Sequence, residues 1–167
     1  MRYFLCLGSN LGDREANLER THSLLRKEGI RIIHFSSVYE TQPVDLDSPQ
    51  PWFFNQVIEI ETGIAPSGLL DLIKRIEKFM GRNTLIQKRP RVIDIDILLA
   101  GDKIIQTEEL SVPHPSFDKR NFVLVPFAEI SPETVHPLLK ESIRNLLERS
   151  SDRSTVKLAK KAHLQSV

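Results

Sequence analysis

The chain has few of the features that mark a secreted, membrane-bound or nucleic-acid-binding protein. It contains a single cysteine, so no disulfide can form within it, which is typical of a reducing cytoplasm. The formal net charge is +1, which creates no broad field to attract DNA, RNA or a membrane surface. The apolar run Tyr3–Leu7 is too short for a signal peptide or a membrane span. We therefore expect a cytoplasmic protein, monomeric, that binds neither nucleic acid nor membrane; its protein partners are left open.

Length and composition predict one globular domain. The chain has 167 residues, 40% of them hydrophobic and 27% charged, as in an ordinary globular protein. A chain of this size can bury roughly 70% of its unfolded surface. We expect a single domain over residues 1–167, in which about 151–167 form a basic C-terminal tail. Within that tail, Arg153–Lys161 is expected to be solvated or frayed.

The hydrophobic pattern predicts a β-α-β-β-α-β order. The predicted elements are a strand at Tyr3–Leu7, a helix at Asp13–Lys27, a β-rich run at Ile30–Tyr39, a strand at Asn55–Thr62, a helix at Pro66–Met80 and a strand within Arg91–Leu99. Short helices are expected at Asn121–Ile130 and Ser142–Arg149, and long loops at Thr41–Trp52 and Arg82–Arg91. This order is typical of the α+β ferredoxin-like fold, an antiparallel sheet with helices packed on one face, here with extra C-terminal elements.

Isoleucine and aspartate alternate along Arg91–Leu99. A strand with this period would place its three isoleucines on one face and Asp94 and Asp96 on the other. A buried carboxylate is costly unless something positive compensates it, and two neighbouring carboxylates suit a hard divalent cation such as Mg²⁺. The alternative is a solvated sheet face on which the aspartates keep the strand soluble. Asp94 and Asp96 are therefore candidate metal ligands.

A basic segment before the aspartates is the candidate phosphate site. The chain has neither a Gly-x-x-x-x-Gly-Lys-Ser/Thr loop nor a Gly-x-Gly-x-x-Gly motif, which argues against a P-loop or dinucleotide fold. Instead, four cations precede the aspartates: Arg82, Lys88, Arg89 and Arg91. Cations beside a carboxylate-bound Mg²⁺ are the arrangement that phosphoryl transfer needs, because its transition state requires charge neutralisation. The alternative is a basic loop that is simply solvated.

Three other positions are candidates with open alternatives. Pro113 and Pro115 restrict the backbone around His114, which weakens, without excluding, the usual structural role of a lone histidine and leaves a catalytic role open. Phe53 and Phe122 could hold a planar heterocycle, although core packing is the usual role of phenylalanine. No Cys/His cluster suggests zinc.

Glu77 lies at the edge of the apolar face of the second predicted helix. From the residues alone, a surface pair with Lys74 or Arg75 is favoured slightly over a functional role.

Several motifs occur along the chain in one order. They are Leu7-Gly8-Ser9-Asn10-Leu11-Gly12-Asp13, Ser36-Ser37-Val38-Tyr39-Glu40-Thr41, Phe53-Phe54-Asn55, Glu77 with Gly81-Arg82, Arg89-Pro90-Arg91 leading into Asp94-Ile95-Asp96-Ile97-Leu98, Val112-Pro113-His114-Pro115, and Arg120-Asn121-Phe122-Val123-Leu124. Together they resemble the 6-hydroxymethyl-7,8-dihydropterin pyrophosphokinases of folate biosynthesis. The resemblance runs from Leu7 to about Pro137.

The resemblance implies transfer of a diphosphate group from ATP to the pterin's hydroxymethyl oxygen, with release of AMP. It implies that Asp94 and Asp96 bind two Mg²⁺ ions and that Arg82 and Arg91, on a mobile loop, act with them in catalysis. The implied ATP contacts are Glu77, Arg82, Arg91, Ile97, His114 and Arg120. The implied pterin contacts are Thr41, Gln42, Pro43, Val44, Phe53, Asn55 and Phe122, with the ring between the two phenylalanines.

The chain departs from the family pattern at three places. Lys88-Arg89 stand where many members have Trp-Gly, so a tryptophan that closes over the pterin is missing. Phe53 replaces a frequent tyrosine, and Lys74 replaces a glutamine seen in some members.

Two rival functions use the same features. A Mg²⁺-dependent nucleotidyl transferase or nuclease would need an extended basic groove, for which a net charge of +1 gives little support. A ferredoxin-like module that binds RNA or a small effector without catalysis would show, in its RNA-binding form, a Lys/Arg-Gly-Phe-type aromatic motif that we do not find.

Overall fold

A computed structural model describes residues 1–44, 48–82 and 89–163 of the chain. Its strands are β1 (Arg2–Ser9), β2 (Arg31–Phe35), β3 (Val38–Thr41), β4 (Phe53–Glu61), β5 (Asp94–Ala100), β6 (Ile105–Gln106), β7 (Ser111–Val112) and β8 (Val156–Lys160). Its helices are α1 (Arg14–Lys27), α2 (Pro66–Phe79), α3 (Asn121–Ile130) and α4 (Ile143–Glu148), with a 3₁₀ turn at Phe117–Lys119. Residues 83–88 of the basic connector, which include Lys88, one of the departures from the family pattern, lie outside the described residues. Residues 45–47 of the first long loop lie outside them as well.

The main sheet is antiparallel and has six strands. Its order is β5-β1-β4-β3-β8, and β2 pairs with β4 as well. The predicted β-rich run forms two strands, β2 and β3, interrupted at Ser36 and Ser37. The core strands β5, β1, β4 and β2 have the ferredoxin-like order, so the predicted α+β fold is confirmed.

Helices cover both faces of the sheet. One cluster joins α1 and α2 to the face that carries Tyr3, Leu5 and Leu7. A second cluster joins α3 and α4 to the face that carries Phe4 and Cys6. The expectation of helices on one face therefore holds for the core motif alone, because the C-terminal helices bury the opposite face. This double cover explains why every residue of β1 after Arg2 is buried.

Local sequence signals set the ends of the two core helices. The side chain of Asp13 accepts a hydrogen bond from the amide of Ala16 (3.0 Å) and so caps α1. Pro66 lies in the first turn of α2, where its fixed φ and missing amide hydrogen are tolerated. The apolar stripe of α2 is buried against the sheet: Leu69, Leu72, Ile73 and Ile76.

The C-terminal tail differs from its prediction. Most of its side chains are exposed, as expected, but Val156–Lys160 forms strand β8 and pairs with β3. The segment is an ordered sheet edge, because main-chain hydrogen bonds to β3 replace those to water. The prediction of a frayed segment is wrong for these residues. In the described ranges, none of the helices has the length and apolar character required to cross a bilayer.

Candidate active site

Strand β5 presents Asp94 and Asp96 on the face opposite its isoleucines. Ile93, Ile95 and Ile97 are at most 5% exposed and lie in the cluster under α1 and α2. In the sheet register Asp94 stands opposite Gly8 and Asp96 stands opposite Cys6 of β1. The predicted period-two separation of carboxylates from isoleucines is confirmed.

Two arginines hold the carboxylate of Asp94, one on each oxygen. Nη1 of Arg82 donates to Oδ1 at 2.8 Å, and Nη1 of Arg91 donates to Oδ2 at 2.9 Å. All three side chains are partly buried. The two outer residues of the basic connector thus converge on the first aspartate, and their binding of phosphate stays a prediction.

Glu77 is a buried partner of this cluster. Glu77 is 4% exposed. Its Oε2 accepts hydrogen bonds from the side chain of Arg82 and from the main-chain amide of Ile95 (3.0 Å). The interpretation of a surface pair with Lys74 or Arg75 is therefore wrong. Burial raises the pKa of Glu77, although Arg82 and the amide of Ile95 oppose the rise. Glu77 connects α2 to β5 directly beside the aspartates.

Asp96 lies in a negatively charged environment. Burial, together with the charges of Asp94 and Glu77, raises the pKa of Asp96 to about 7. Arg82 and Arg120 lower it by less. Three carboxylates therefore share one partly buried region, where an additional positive charge would be favourable.

A cavity of about 290 Å³ opens beside the aspartates. Its lining residues come from β1, the end of β3 and the loop after it, the start of β4, β5 and the segment before it, and the start of α3: Cys6, Gly8, Thr41, Gln42, Pro43, Val44, Phe53, Asn55, Arg91, Asp94, Asp96, Arg120 and Phe122. Every residue predicted to contact the pterin is among them. The structure thus brings the predicted ring-binding residues and both predicted metal ligands to one cavity.

The two cavity phenylalanines each lie near an arginine. The guanidinium of Arg91 is 5.9 Å from the ring centroid of Phe53, and that of Arg120 is 5.8 Å from the centroid of Phe122. Phe54, next along β4, instead lies under the guanidinium of Arg14 at 3.8 Å. Because successive side chains of a strand point to opposite faces of the sheet, Phe53 faces the cavity and Phe54 packs against Arg14 on the other face.

Thr41, Asn55 and Gly8 form the polar floor of the cavity. The side-chain nitrogen Nδ2 of buried Asn55, on β4, donates a hydrogen bond to Oγ1 of Thr41 on the neighbouring strand β3. The Oδ1 atom of Asn55 is 2.6 Å from the position that a Cβ atom would occupy at Gly8. Glycine is favoured at residue 8, because a Cβ atom there would force the side chain of Asn55 to shift.

His114 and Ile97 lie outside this lining. The amide of His114 donates to the carbonyl of Leu98 (3.0 Å), and its ring is close enough to Arg120 and Asp94 for their charges to act on it. Burial, reinforced by Arg120, lowers the pKa of His114 and so favours the neutral ring. The side chain of Ile97 packs in the core on the opposite face, so its predicted ATP contact would have to use main-chain atoms.

Two lining residues were not predicted. Cys6 and Gly8 belong to β1, where the sequence reads as an apolar strand ending in a turn. The sheet register, which sets them opposite Asp96 and Asp94, is the information that sequence spacing lacked. Burial, with Asp96 and Asp94 nearby, raises the pKa of Cys6 well above its ordinary value, so the thiol stays protonated.

The family assignment rests on a match across most of the chain. The model of the 7,8-dihydro-6-hydroxymethylpterin-pyrophosphokinase (HPPK) family matches residues 4–132. This chain belongs to the HPPK family. The matched range contains every predicted site residue and ends before α4 and β8.

This chain covers different shares of the proteins to which it is similar. The 2-amino-4-hydroxy-6-hydroxymethyldihydropteridine pyrophosphokinase of Bacillus subtilis is 43% identical over 128 residues, which are 76% of this chain and 76% of that protein. The folic acid synthesis protein fol1 of Schizosaccharomyces pombe is 40% identical over 147 residues, 87% of this chain but 20% of that protein. This chain therefore spans about a fifth of the length of the fol1 protein.

Solved HPPK structures show the same fold. The HPPK-DHPS of Plasmodium falciparum superimposes with a TM-score of 0.70 at 19% identity, covering 89% of this chain and 45% of that one. At this identity the likeness supports the fold alone.

Proposed function

We propose that this member of the HPPK family transfers a diphosphate group from ATP to 6-hydroxymethyl-7,8-dihydropterin. The hydroxymethyl oxygen attacks the β-phosphorus of ATP, the bond from that phosphorus to the α-phosphate oxygen breaks, and AMP leaves. The observation that carries the proposal is one cavity in which two phenylalanines and two aspartates meet. The two aspartates suit a divalent cation that would bind the triphosphate, and the two phenylalanines suit a flat ring beside it.

The aspartates fit the Mg²⁺ that such a reaction implies. Asp94 and Asp96 share one face, and the pKa of Asp96 is raised first by burial and then by the charges of Asp94 and Glu77, so a cation at this position would be favourable. Within the described ranges no group of three or more His, Cys, Asp and Glu side chains surrounds a metal position. Two carboxylates suffice for Mg²⁺, because this ion takes its other ligands from water and phosphate. When bound, two Mg²⁺ ions would neutralise triphosphate charge.

The basic residues around Asp94 would bind the phosphates. Arg82 and Arg91 already reach Asp94, so phosphate oxygens above the aspartates would lie within range of both guanidinium groups. Glu77 holds Arg82 from the side of α2 and so limits the positions its guanidinium can adopt. Arg120 and His114 lie on the α3 side and would contact the triphosphate from there. These groups bind and orient ATP, because phosphoryl transfer depends on positioning and charge.

The pterin would bind between Phe53 and Phe122. Stacking of a flat heterocycle on an aromatic ring contributes about 1–3 kcal/mol per ring by analogy with nucleobases. The Thr41–Asn55 pair would contact the polar edge of the ring, and Gln42, Pro43 and Val44 would close the cavity. A closed cavity also excludes water, which would otherwise hydrolyse the activated phosphate.

The decisive experiment resolves the nucleotide products of a mixture of protein, ATP, Mg²⁺ and 6-hydroxymethyl-7,8-dihydropterin. We expect AMP that depends on the pterin. Production of ADP would indicate transfer of one phosphate, and tight pterin binding with neither nucleotide product would favour a binding module. Asp96→Ala should retain less than about a tenth of the activity, equivalent to at least about 1.4 kcal/mol of barrier.

A matched control for that variant is Asp102→Ala. Asp102 is exposed in the turn that directly follows β5, the strand that carries Asp96, and it does not line the cavity. Wild-type activity in this control would show that the loss in Asp96→Ala comes from the site and not from removal of any aspartate nearby. A cytoplasmic location and a monomeric state belong to the same proposal and are tested separately, by fractionation and by sedimentation.

A further inference from the structure

The segment Asp152–Lys160 contacts both walls of the cavity, although it lies beyond the range matched by the family model. One wall is the start of α3, which carries Phe122. The other is the end of β3 and the residues that follow it, Thr41 to Val44. The two contacts are made by residues only three positions apart, Asp152 and Thr155.

Asp152 anchors the α3 wall. Its Oδ2 accepts a hydrogen bond from the amide of Asn121 (2.8 Å), and its main-chain carbonyl accepts one from Nδ2 of Asn121 (3.2 Å). The residue before α3, Arg120, supplies no side-chain cap of its own. Asp152 therefore satisfies an amide at the positive end of the helix, directly beside Phe122.

The carboxylate of Asp152 is itself held in place. Its Oδ1 accepts from the amide of Ser154 at 2.8 Å, so both oxygens are engaged. Burial raises the pKa of Asp152, but the hydrogen bonds from Asn121 and Ser154 outweigh that effect and leave the pKa below its ordinary value. The group is therefore a charged acceptor at neutral pH, which makes its hydrogen bonds stronger than those of a neutral acceptor.

Thr155 anchors the opposite wall. Its carbonyl accepts from the amide of Gln42 (3.0 Å), and its amide donates to Oε1 of Gln42 (3.2 Å). Immediately afterwards Val156 pairs with Thr41 as β8 begins. On the same strand, Nζ of Lys157 is 5.2 Å from the ring centroid of Trp52, which precedes β4. The wall formed by Thr41–Val44 is thus joined to the C-terminal segment by a main-chain ladder.

We propose that the bridge Asp152–Thr155 positions the two cavity walls relative to each other and thereby sets the affinity for the pterin. This inference rests on the proposed function. Both residues lie outside the cavity lining, so they act as positioning residues through Asn121 and Gln42. If the α3 wall is released, the binding-competent arrangement is populated for less of the time, and the apparent dissociation constant rises in inverse proportion to that fraction.

The test measures pterin and ATP affinities separately in the full-length chain. In Asp152→Ala and in Thr155→Pro we expect the dissociation constant for 6-hydroxymethyl-7,8-dihydropterin to rise about tenfold, which corresponds to about 1.4 kcal/mol. Asp152→Asn keeps one acceptor oxygen, so we expect a smaller rise. The affinity for ATP with Mg²⁺ should fall by less than the pterin affinity in all three variants, because Arg120 adjoins Asn121 but Arg82 and Arg91 are held by Asp94 on β5.

The matched control is Ser142→Ala. Oγ of Ser142 caps α4 by accepting from the amide of Asn145 (3.1 Å), so its loss also removes a capping hydrogen bond from the C-terminal region. It touches neither cavity wall. We expect a stability loss similar to that of Asp152→Ala, measured by urea unfolding, with unchanged pterin affinity.

Several outcomes would overturn the inference. One is an unchanged pterin affinity in Asp152→Ala, and another is an equal loss of pterin and ATP affinity in that variant. A third is a loss of pterin affinity in Ser142→Ala as large as the loss in Asp152→Ala. If both Asp152 variants fail to fold, the bridge stabilises the fold as a whole and the specific role is wrong. A wild-type protein that binds no pterin would instead contradict the proposed function.

Discussion

Asn10 and Arg91 are joined by a pair of hydrogen bonds between the segments that follow β1 and precede β5. The amide of Asn10 donates to the carbonyl of Arg91 (3.1 Å), and the amide of Arg91 donates to Oδ1 of Asn10 (2.7 Å). Nδ2 of Asn10 also donates to Oε1 of Gln50 and to the carbonyl of Pro51, both at 3.1 Å. One residue, 1% exposed, thus connects the loop before β4 to the arginine that holds Asp94.

Replacing Asn10 should destabilise the protein and misplace Arg91. In Asn10→Ala the amide of Arg91 and the carbonyl of Pro51 lose their partner, at a cost of about 1–3 kcal/mol in the free energy of unfolding. We also expect a lower kcat. Urea unfolding and steady-state kinetics check both effects. Asn145→Ala, at an exposed position in α4, is the matched control, and an equal loss there would contradict the interpretation.

Adding one methyl group at Gly8 should damage the pterin cavity. The Cβ atom of Gly8→Ala would lie 2.6 Å from Oδ1 of Asn55, so the side chain of Asn55 would have to shift and its hydrogen bond to Thr41 would be disturbed. Overpacking of this kind costs about 1–3 kcal/mol. We expect weaker pterin binding in a fluorescence titration. Gly63→Ala is the control, because a Cβ there meets nothing within 4 Å. Equal affinities in the two variants would show that the cavity floor tolerates the change.

Removal of one stacking ring should weaken pterin binding more than ATP binding. Phe122→Ala should cost about 1–3 kcal/mol of pterin affinity, by analogy with stacking of bases on aromatic side chains. Phe79→Ala removes a phenylalanine that is 67% exposed at the end of α2 and should leave the affinity unchanged. Isothermal titration of each ligand separates the effects. If pterin binds Phe122→Ala as tightly as wild type, the ring does not lie between Phe53 and Phe122.

Acid should destabilise the fold partly through His22. Its Nε2 and Oε1 of Gln56 are 2.8 Å apart, and burial, helped by Arg26, lowers the pKa of His22 below its ordinary value. At pH above the unfolded value of about 6.5 the ring is neutral in both states. As the pH falls below it, the unfolded state takes up the proton first, so stability is lost.

The measurement for His22 compares free energies of unfolding at pH 7.5 and pH 5.5. The difference should be smaller in His22→Gln than in wild type, because the variant cannot take up that proton. His163→Gln, at an exposed position, should retain the wild-type difference. If the difference in free energy of unfolding between the two pH values is the same in His22→Gln as in wild type, other groups cause the loss of stability in acid.

The candidate site could be predicted in part from local spacing and in part from the resemblance. Asp94 and Asp96 are two residues apart in a strand, so they must share a face whatever surrounds them. The resemblance assigned Phe53, Phe122 and the residues from Thr41 to Val44 to the pterin, and the structure brings them to one cavity. Whether they bind it stays a prediction.

Glu77 shows where local reasoning is insufficient. A helical pattern places it at the edge of an apolar stripe but does not identify its neighbours. Only the packing of α2 against β5 brings it to the amide of Ile95 and to Arg82. The same holds for the C-terminal segment, whose charged side chains indicate solvent while its main chain pairs with β3.

The sequence by itself determined the alternation of carboxylates and isoleucines in β5, the limits of the two core helices and the ferredoxin-like order of elements. Those features follow from periodicities of 2 and 3.6 residues and from capping residues, which act over a few positions. Only the tertiary structure decided that Cys6 and Gly8 face the aspartates, that α3 and α4 cover the second face of the sheet, and that Asp152 and Thr155 bridge the cavity walls. These relationships join residues far apart in the chain, and they depend on strand register and helix packing, which no local pattern specifies.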